Sequence, residues 1–292
     1  MSTYAEFYSR SLEDRDGFWA EQARLVDWHT PFKQVCDDSK PPFTRWFVGG
    51  TTNLCHNAVD RHVAARGQQN ALIFVSTETN QERVYSYAEL HREVQRMAAI
   101  LLELGVKKGD RVLVYMPMIP EAAFAMLACT RIGALHSVVF GGFASVSLAS
   151  RIDDAEPVAI VSADAGSRGG KVVPYKPLLD EAIALAKHKP NKVLMVDRGL
   201  APFARTAGRD EDYAALSAKH REAQNWHVGL QEAATPENLG RSFNTLLTDS
   251  PELHAQQAAF ARLESLMRME GAAPSELAAR VVLDLATKAR KR

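Results

Sequence analysis

Two glycine-bearing segments hold residue types that could recognise a phosphorylated ligand. Phe140-Gly141-Gly142-Phe143 follows an apolar strand signal and precedes a helix signal. Paired glycines let backbone amides approach a bound group closely, and a helix N-terminus adds partial positive charge. The same four residues also make an ordinary strand-to-helix turn that needs no ligand. Asp164-Ala165-Gly166-Ser167-Arg168-Gly169-Gly170-Lys171 comes after another strand signal. Its two cations flank two glycines, which suits a phosphate or phosphate ester. Read plainly, it is an exposed loop with ordinary surface charges. Two such segments at one edge of one sheet favour binding.

Other chemistries find no support. There is no G-x-x-x-x-G-K-[ST] loop, no G-x-G-x-x-G after a strand and no G-x-S-x-G elbow. Gly49-Gly50-Thr51-Thr52 opens like a phosphate loop, but no lysine closes it. His56 and His62, with Asp60 between them, are poorly spaced for a metal, and hydrogen-bonding roles suit them better. Cys36, Cys55 and Cys129 form no Cys-x-x-Cys pair and read as reduced thiols. No catalytic residue and no metal site is assigned.

The elements that must position the two segments lie between about 66 and 200. Ser86 and Glu89 form a capping box, followed by Leu90, Val94, Met97, Ala98, Leu101 and Leu104 at helical spacing and by Gly105 as a C-cap. Short valine-rich strands are expected at 112–116, 135–140, 158–162 and 193–196, with helices at 121–132, 145–153 and 178–186 between them. Strands this apolar are covered on both faces. Their alternation with helices predicts an α/β fold with a parallel, doubly wound sheet, whose ligands sit outside the carboxyl ends of the strands. Residues 1–65 are aromatic-rich and irregular, with a helix expected over 13–25, and read as a layer packing its rings onto a larger body. Residues 66–220 form the α/β domain. Residues 221–292 read as an all-helical tail, and no strand is expected after Val196.

Composition sets the remaining bounds. The chain has 292 residues, with 35 Lys+Arg balancing 35 Asp+Glu. Zero net charge argues against a dedicated nucleic-acid or anionic-membrane binder. No stretch approaches ~18 uninterrupted apolar residues, so no membrane span is expected. The first residues include Glu6 and hold no apolar run, so no signal peptide is expected either, and the protein reads as cytoplasmic.

Three runs bear a family resemblance. Residues Trp46-Phe47-Val48-Gly49-Gly50-Thr51-Thr52-Asn53-Leu54-Cys55-His56-Asn57, through Asp60-Arg61-His62, resemble the N-terminal segment of the AMP-forming acetyl/propionyl-CoA synthetases. The run from Gly109-Asp110-Arg111 to Phe140-Gly141-Gly142-Phe143-Ala144-Ser145 is similar to the same family, as is Ser162 through Lys171. The 52–57 and 166–175 runs look most like its propionate–CoA ligases. The resemblance covers residues 1 to about 220. It implies an adenylate-forming fold and joining of a short carboxylic acid to coenzyme A through an acyl-adenylate, with ATP and Mg. It places Phe140, Gly141 and Gly142 at the CoA adenine, and Arg168, Gly169, Gly170 and Lys171 at the CoA phosphates. Lys171 stands where arginine is common, keeping charge but losing the bidentate fork.

The family's ATP loop, T-S-G-T-T-G-x-P-K, is not in this sequence. The chain thus reads as a truncated ligase that binds part of CoA. Residues from about 226 onward resemble instead the C-terminal helices of lipid-A-disaccharide synthase, so the whole reads as chimeric, joined near 220. The alternative readings are a non-catalytic helical interaction or oligomerisation module, or a fragment of a lipid-A-disaccharide synthase-type glycosyltransferase. A sheet cut short leaves an open edge near 193–196, from which a marginally stable protein or a homo-oligomer is expected.

Overall fold

Valine-rich segments with no charge in their interiors build the centre of the protein. The computed structural model describes residues 3–221 and the backbone of 231–232, all within one compact unit, Met1–Thr235.

An aromatic layer comes first. It contains α1 (Tyr4–Glu13), α2 (Arg15–Gln22), β1 (Gln34–Asp37), β2 (Arg45–Val48), β3 (Thr51–Thr52) and α3 (Arg61–Arg66). Its rings pack on one another. Trp28, Phe32 and Phe47 lie 5.2–5.4 Å apart, and Phe7, Phe18, Trp19 and Trp46 form a second chain of edge contacts. The single helix expected over 13–25 is α2 followed by a 3-10 turn, Ala23–Leu25.

The sheet region follows with β4 (Asn70–Ser76), β5 (Gln81–Ser86), α4 (Tyr87–Glu103), β6 (Arg111–Met116), α5 (Pro120–Ile132), β7 (Leu135–Phe140) and α6 (Ser145–Ala155). It continues with β8 (Ala159–Ala163), β9 (Ala165–Arg168), β10 (Lys171–Pro174), α7 (Tyr175–Leu185), β11 (Lys192–Val196), β12 (Asp210–Asp212) and α8 (Tyr213–Lys219). Five strands form one sheet in the order β12-β11-β8-β6-β7, and every pairing is parallel. Alternate residues go to opposite faces. Val112, Val114, Val161 and Leu194 meet α4 and α5, with Tyr213 and Leu216 of α8 packed against them. Leu113, Tyr115, Ile160, Val193 and Met195 meet α6 and α7. The α/β class and parallel sheet agree with the expectation.

The capping box is present: the Ser86 amide donates to Glu89 at 2.8 Å and the Glu89 amide to Ser86 Oγ at 3.3 Å. Two expectations are corrected. Residues 193–196 are not an open edge, because β12 pairs along β11 (Val193 with Asp210, Met195 with Asp212). Strands also occur after Val196: β12, and β13 (Gln231–Glu232), which pairs antiparallel with β3. The rest of the expected helical tail lies outside the described residues.

A buried ion pair ties the aromatic layer to the sheet region. Arg131 Nη1 donates to both oxygens of Asp60 at 2.7 Å, with the Arg131 side chain 4% exposed. Asn53 Nδ2 adds hydrogen bonds to the Thr130 and Arg131 carbonyls.

Candidate functional site

Because the five strands are parallel, the connections after Met116, Phe140, Ala163 and Val196 all leave the same edge of the sheet. Both glycine-bearing segments lie on this edge. Tyr175, first residue of α7, brings them together. An ideal Cβ on Gly141 would stand 2.2 Å from the Tyr175 hydroxyl, and one on Gly166 would stand 2.3 Å from it. Only glycine fits at either position while Tyr175 stays in place. The Tyr175 ring cannot swing aside freely, since it is buried against Tyr115 with centroids 5.0 Å apart.

Tyr115 fixes the first segment from beneath. Its hydroxyl accepts the Gly142 amide at 3.3 Å and donates to the Phe143 carbonyl at 3.4 Å. Burial pushes the Tyr115 phenol up to about 12, so it remains a neutral hydroxyl able to do both. Gly142 has φ +89 and open space where a Cβ would be. Phe140 and Phe143 stand 6.1 Å apart, with Phe140 63% exposed, so the segment presents an aromatic surface. No side chain caps the first turn of α6 behind it. Tyr115→Phe removes a buried acceptor and is expected to destabilise by about 1 kcal/mol. Urea unfolding would measure this through a lower midpoint at unchanged slope.

The second segment is a hairpin, not a loop. β9 and β10 pair antiparallel with Arg168 opposite Lys171. Gly169 (φ +58) and Gly170 (φ +76) form the two-residue turn. Positive φ at both central residues is what such a turn requires. The glycines therefore have a structural reason to be there, and the turn sets two cationic residues opposite each other at an exposed tip.

The hairpin base is braced by residues that sequence reasoning missed. Arg198 donates to the Ala165 carbonyl at 2.9 Å and to Glu78 at 2.8 Å, while Glu78 accepts the Ser167 amide at 3.2 Å. Asp164 is fully buried, and its carboxylate accepts the amides of Arg198, Leu200 and Ala201 at 2.7–3.1 Å. It is thus a structural anchor rather than a ligand contact. Among the described residues, no three His, Cys, Asp or Glu side chains are grouped to hold a metal ion, and no helix is long and apolar enough to cross a membrane.

The three cysteines are buried and unpaired. Burial pushes the Cys55 thiol up to about 11 and Cys129 to about 12, which suits packing rather than reactivity.

Comparison with known proteins agrees with this architecture. The family model "Acetyl-coenzyme A synthetase N-terminus" matches residues 4–58, and "AMP-binding enzyme" matches residues 59–265. The chain is 62% identical over 218 residues to propionate–CoA ligase of Salmonella typhimurium, covering 75% of this chain and 35% of that protein. It is 42% identical over 220 residues to human mitochondrial acyl-CoA synthetase short-chain family member 3, covering 75% of this chain and 32% of that one. Among solved structures, acetoacetyl-CoA synthetase from Streptomyces lividans superposes with a TM-score of 0.69 at 29% identity, over 80% of this chain and 35% of that chain. The chain spans about a third of the length of these relatives. The AMP-binding match runs past position 220, where the sequence reading placed a junction, and these comparisons give the resemblance to lipid-A-disaccharide synthase no support. By a match that covers most of its length, the chain belongs to the AMP-binding enzyme family.

Proposed function

We propose that this chain holds the nucleotide end of coenzyme A, as the thiol-docking part of an acid–thiol ligase for a short carboxylic acid such as propionate. Phe140, Gly141 and Gly142 take the adenine: the Phe140–Phe143 pair offers a face for stacking, and the glycines keep the backbone open. Arg168, Gly169, Gly170 and Lys171 take the phosphates, whose charge the paired cations at the hairpin tip would neutralise. The observation that carries this reading is Tyr175, wedged between Gly141 and Gly166, which holds both segments at one edge. The 62% identity to a propionate–CoA ligase supports the thiol and acid classes.

Acid activation lies beyond this polypeptide. In the family it draws on ATP and Mg through a loop whose motif this sequence does not contain, and charge stabilisation at the reacting phosphorus needs such groups. Calorimetric titration is expected to give one-site binding of CoA and none of pantetheine, which lacks the nucleotide. Propionate, ATP, Mg and CoA together are expected to yield no AMP. Equal binding of pantetheine would overturn the docking assignment, and AMP release would overturn the limit on activity.

A further inference from the structure

A second charged site lies on the sheet face opposite α6 and α7, where β5, α4, α5 and α8 meet around a cavity of about 400 Å³. Three arginines line it, Arg83, Arg96 and Arg221, against two acids, Glu93 and Glu121. Only one acid neutralises an arginine directly: Arg96 Nη1 donates to both oxygens of Glu93 at 2.7–2.8 Å. Arg96 Nε, within the same guanidinium, is buried without any hydrogen-bond partner. Arg83 stacks on the Tyr85 ring at 4.7 Å and forms no ion pair, and Arg221 forms none either, among the described residues. Burial raises the Glu121 carboxyl above its ordinary range, so it offsets the arginines less than a free carboxylate would. The walls between these charges are aromatic, from Tyr85 and Tyr213.

Unpaired guanidiniums beside an aromatic wall suit a ligand with a negative head and a flat apolar body. The volume is within the range of small-molecule sites and several times that of a bare oxyanion. We propose that this cavity is a binding site for an aromatic or amphipathic organic anion, separate from the 140–143 and 168–171 edge. The head contacts Arg83 and Arg221, and the body packs on Tyr213 beside them. The site requires no CoA binding and no ligase chemistry.

Phenyl phosphate is a suitable probe, titrated into the full chain by calorimetry at constant ionic strength to suppress non-specific charge effects. One-site binding is expected, competed by inorganic phosphate and absent with benzyl alcohol. Arg83→Gln and Arg221→Gln should each weaken it about tenfold, the worth of one charge-assisted hydrogen bond. Arg168→Gln should leave it unchanged. Arg221 is an exposed turn residue just past α8, so Arg221→Gln keeps the test decisive if Arg83→Gln perturbs the β5 hairpin. No heat with the unmodified chain overturns the proposal. So does equal binding of benzyl alcohol, or loss of binding in Arg168→Gln alone, which would assign the anion to the hairpin tip.

Discussion

Asp60→Ala is expected to lower the free energy of unfolding by roughly 3–5 kcal/mol, because it strands the buried Arg131 guanidinium without its counter-ion. The penalty is large because the cation stays desolvated when its partner goes. Arg131 already carries one unsatisfied buried nitrogen, Nε, so little nearby can compensate. His91 Nε2 lies 3.3 Å from Asp60, and its own contact is lost as well. Asp60→Asn retains an acceptor for Arg131 and should cost less. Burial pushes the Asp60 carboxyl up, but the hydrogen bond from His91 and the Arg131 charge outweigh it and hold the group below its ordinary range. A depressed folded-state value means the stabilisation is present above about pH 4 and is lost as pH falls through that lower value. Urea unfolding of the two variants and the parent at pH 7 and pH 3 measures all of this. Equal stability of Asp60→Ala and parent at pH 7 would show that the aromatic layer is held by other contacts.

Gly141→Ala should weaken CoA binding by tenfold or more. Its new Cβ would stand 2.2 Å from the Tyr175 hydroxyl and 2.6 Å from Cζ. Overpacking of this kind costs about 1–3 kcal/mol, released by backbone shifts. Here the shift would move the 140–143 segment away from the hairpin. Tyr175→Leu removes the obstacle, so Gly141→Ala with Tyr175→Leu should bind better than Gly141→Ala alone. Residues in direct contact couple in this way. Additive losses in the double variant would mean that Tyr175 does not set the spacing of the two segments.

The sequence shows most clearly those elements whose own side chains decide them. α4 carries a reciprocal cap, a 3.6-residue apolar repeat and a glycine stop, and each is where the pattern puts it. The valine-rich strands are visible because both faces of the sheet are covered. Elements decided by their neighbours are not visible. β12 reads Asp-Glu-Asp, a poor strand former, yet it pairs with β11 because Lys192, Arg209 and Lys176 neutralise it, Lys192 to Glu211 at 2.6 Å and Lys176 to Asp210 at 3.0 Å. β4 escapes notice because Ile73 and Val75 face outward, which erases the polar–apolar alternation. The Ala-Gly-Ser-Arg strand β9 lacks strand-forming residues and is fixed by its turn glycines and by Arg198. The candidate site divides the same way. Its glycines and cations are legible as types at a spacing. The contact that unites them is not, because it joins one tyrosine to two residues with no side chains.

The most direct test of the central claim is a two-dimensional amide spectrum of the labelled chain during CoA titration. The amides of Gly141, Gly142, Gly169 and Gly170 should shift together, along one saturation curve, because a single nucleotide spans both segments. Shifts confined to one segment, or four unmoved glycine signals at saturating CoA, would contradict it.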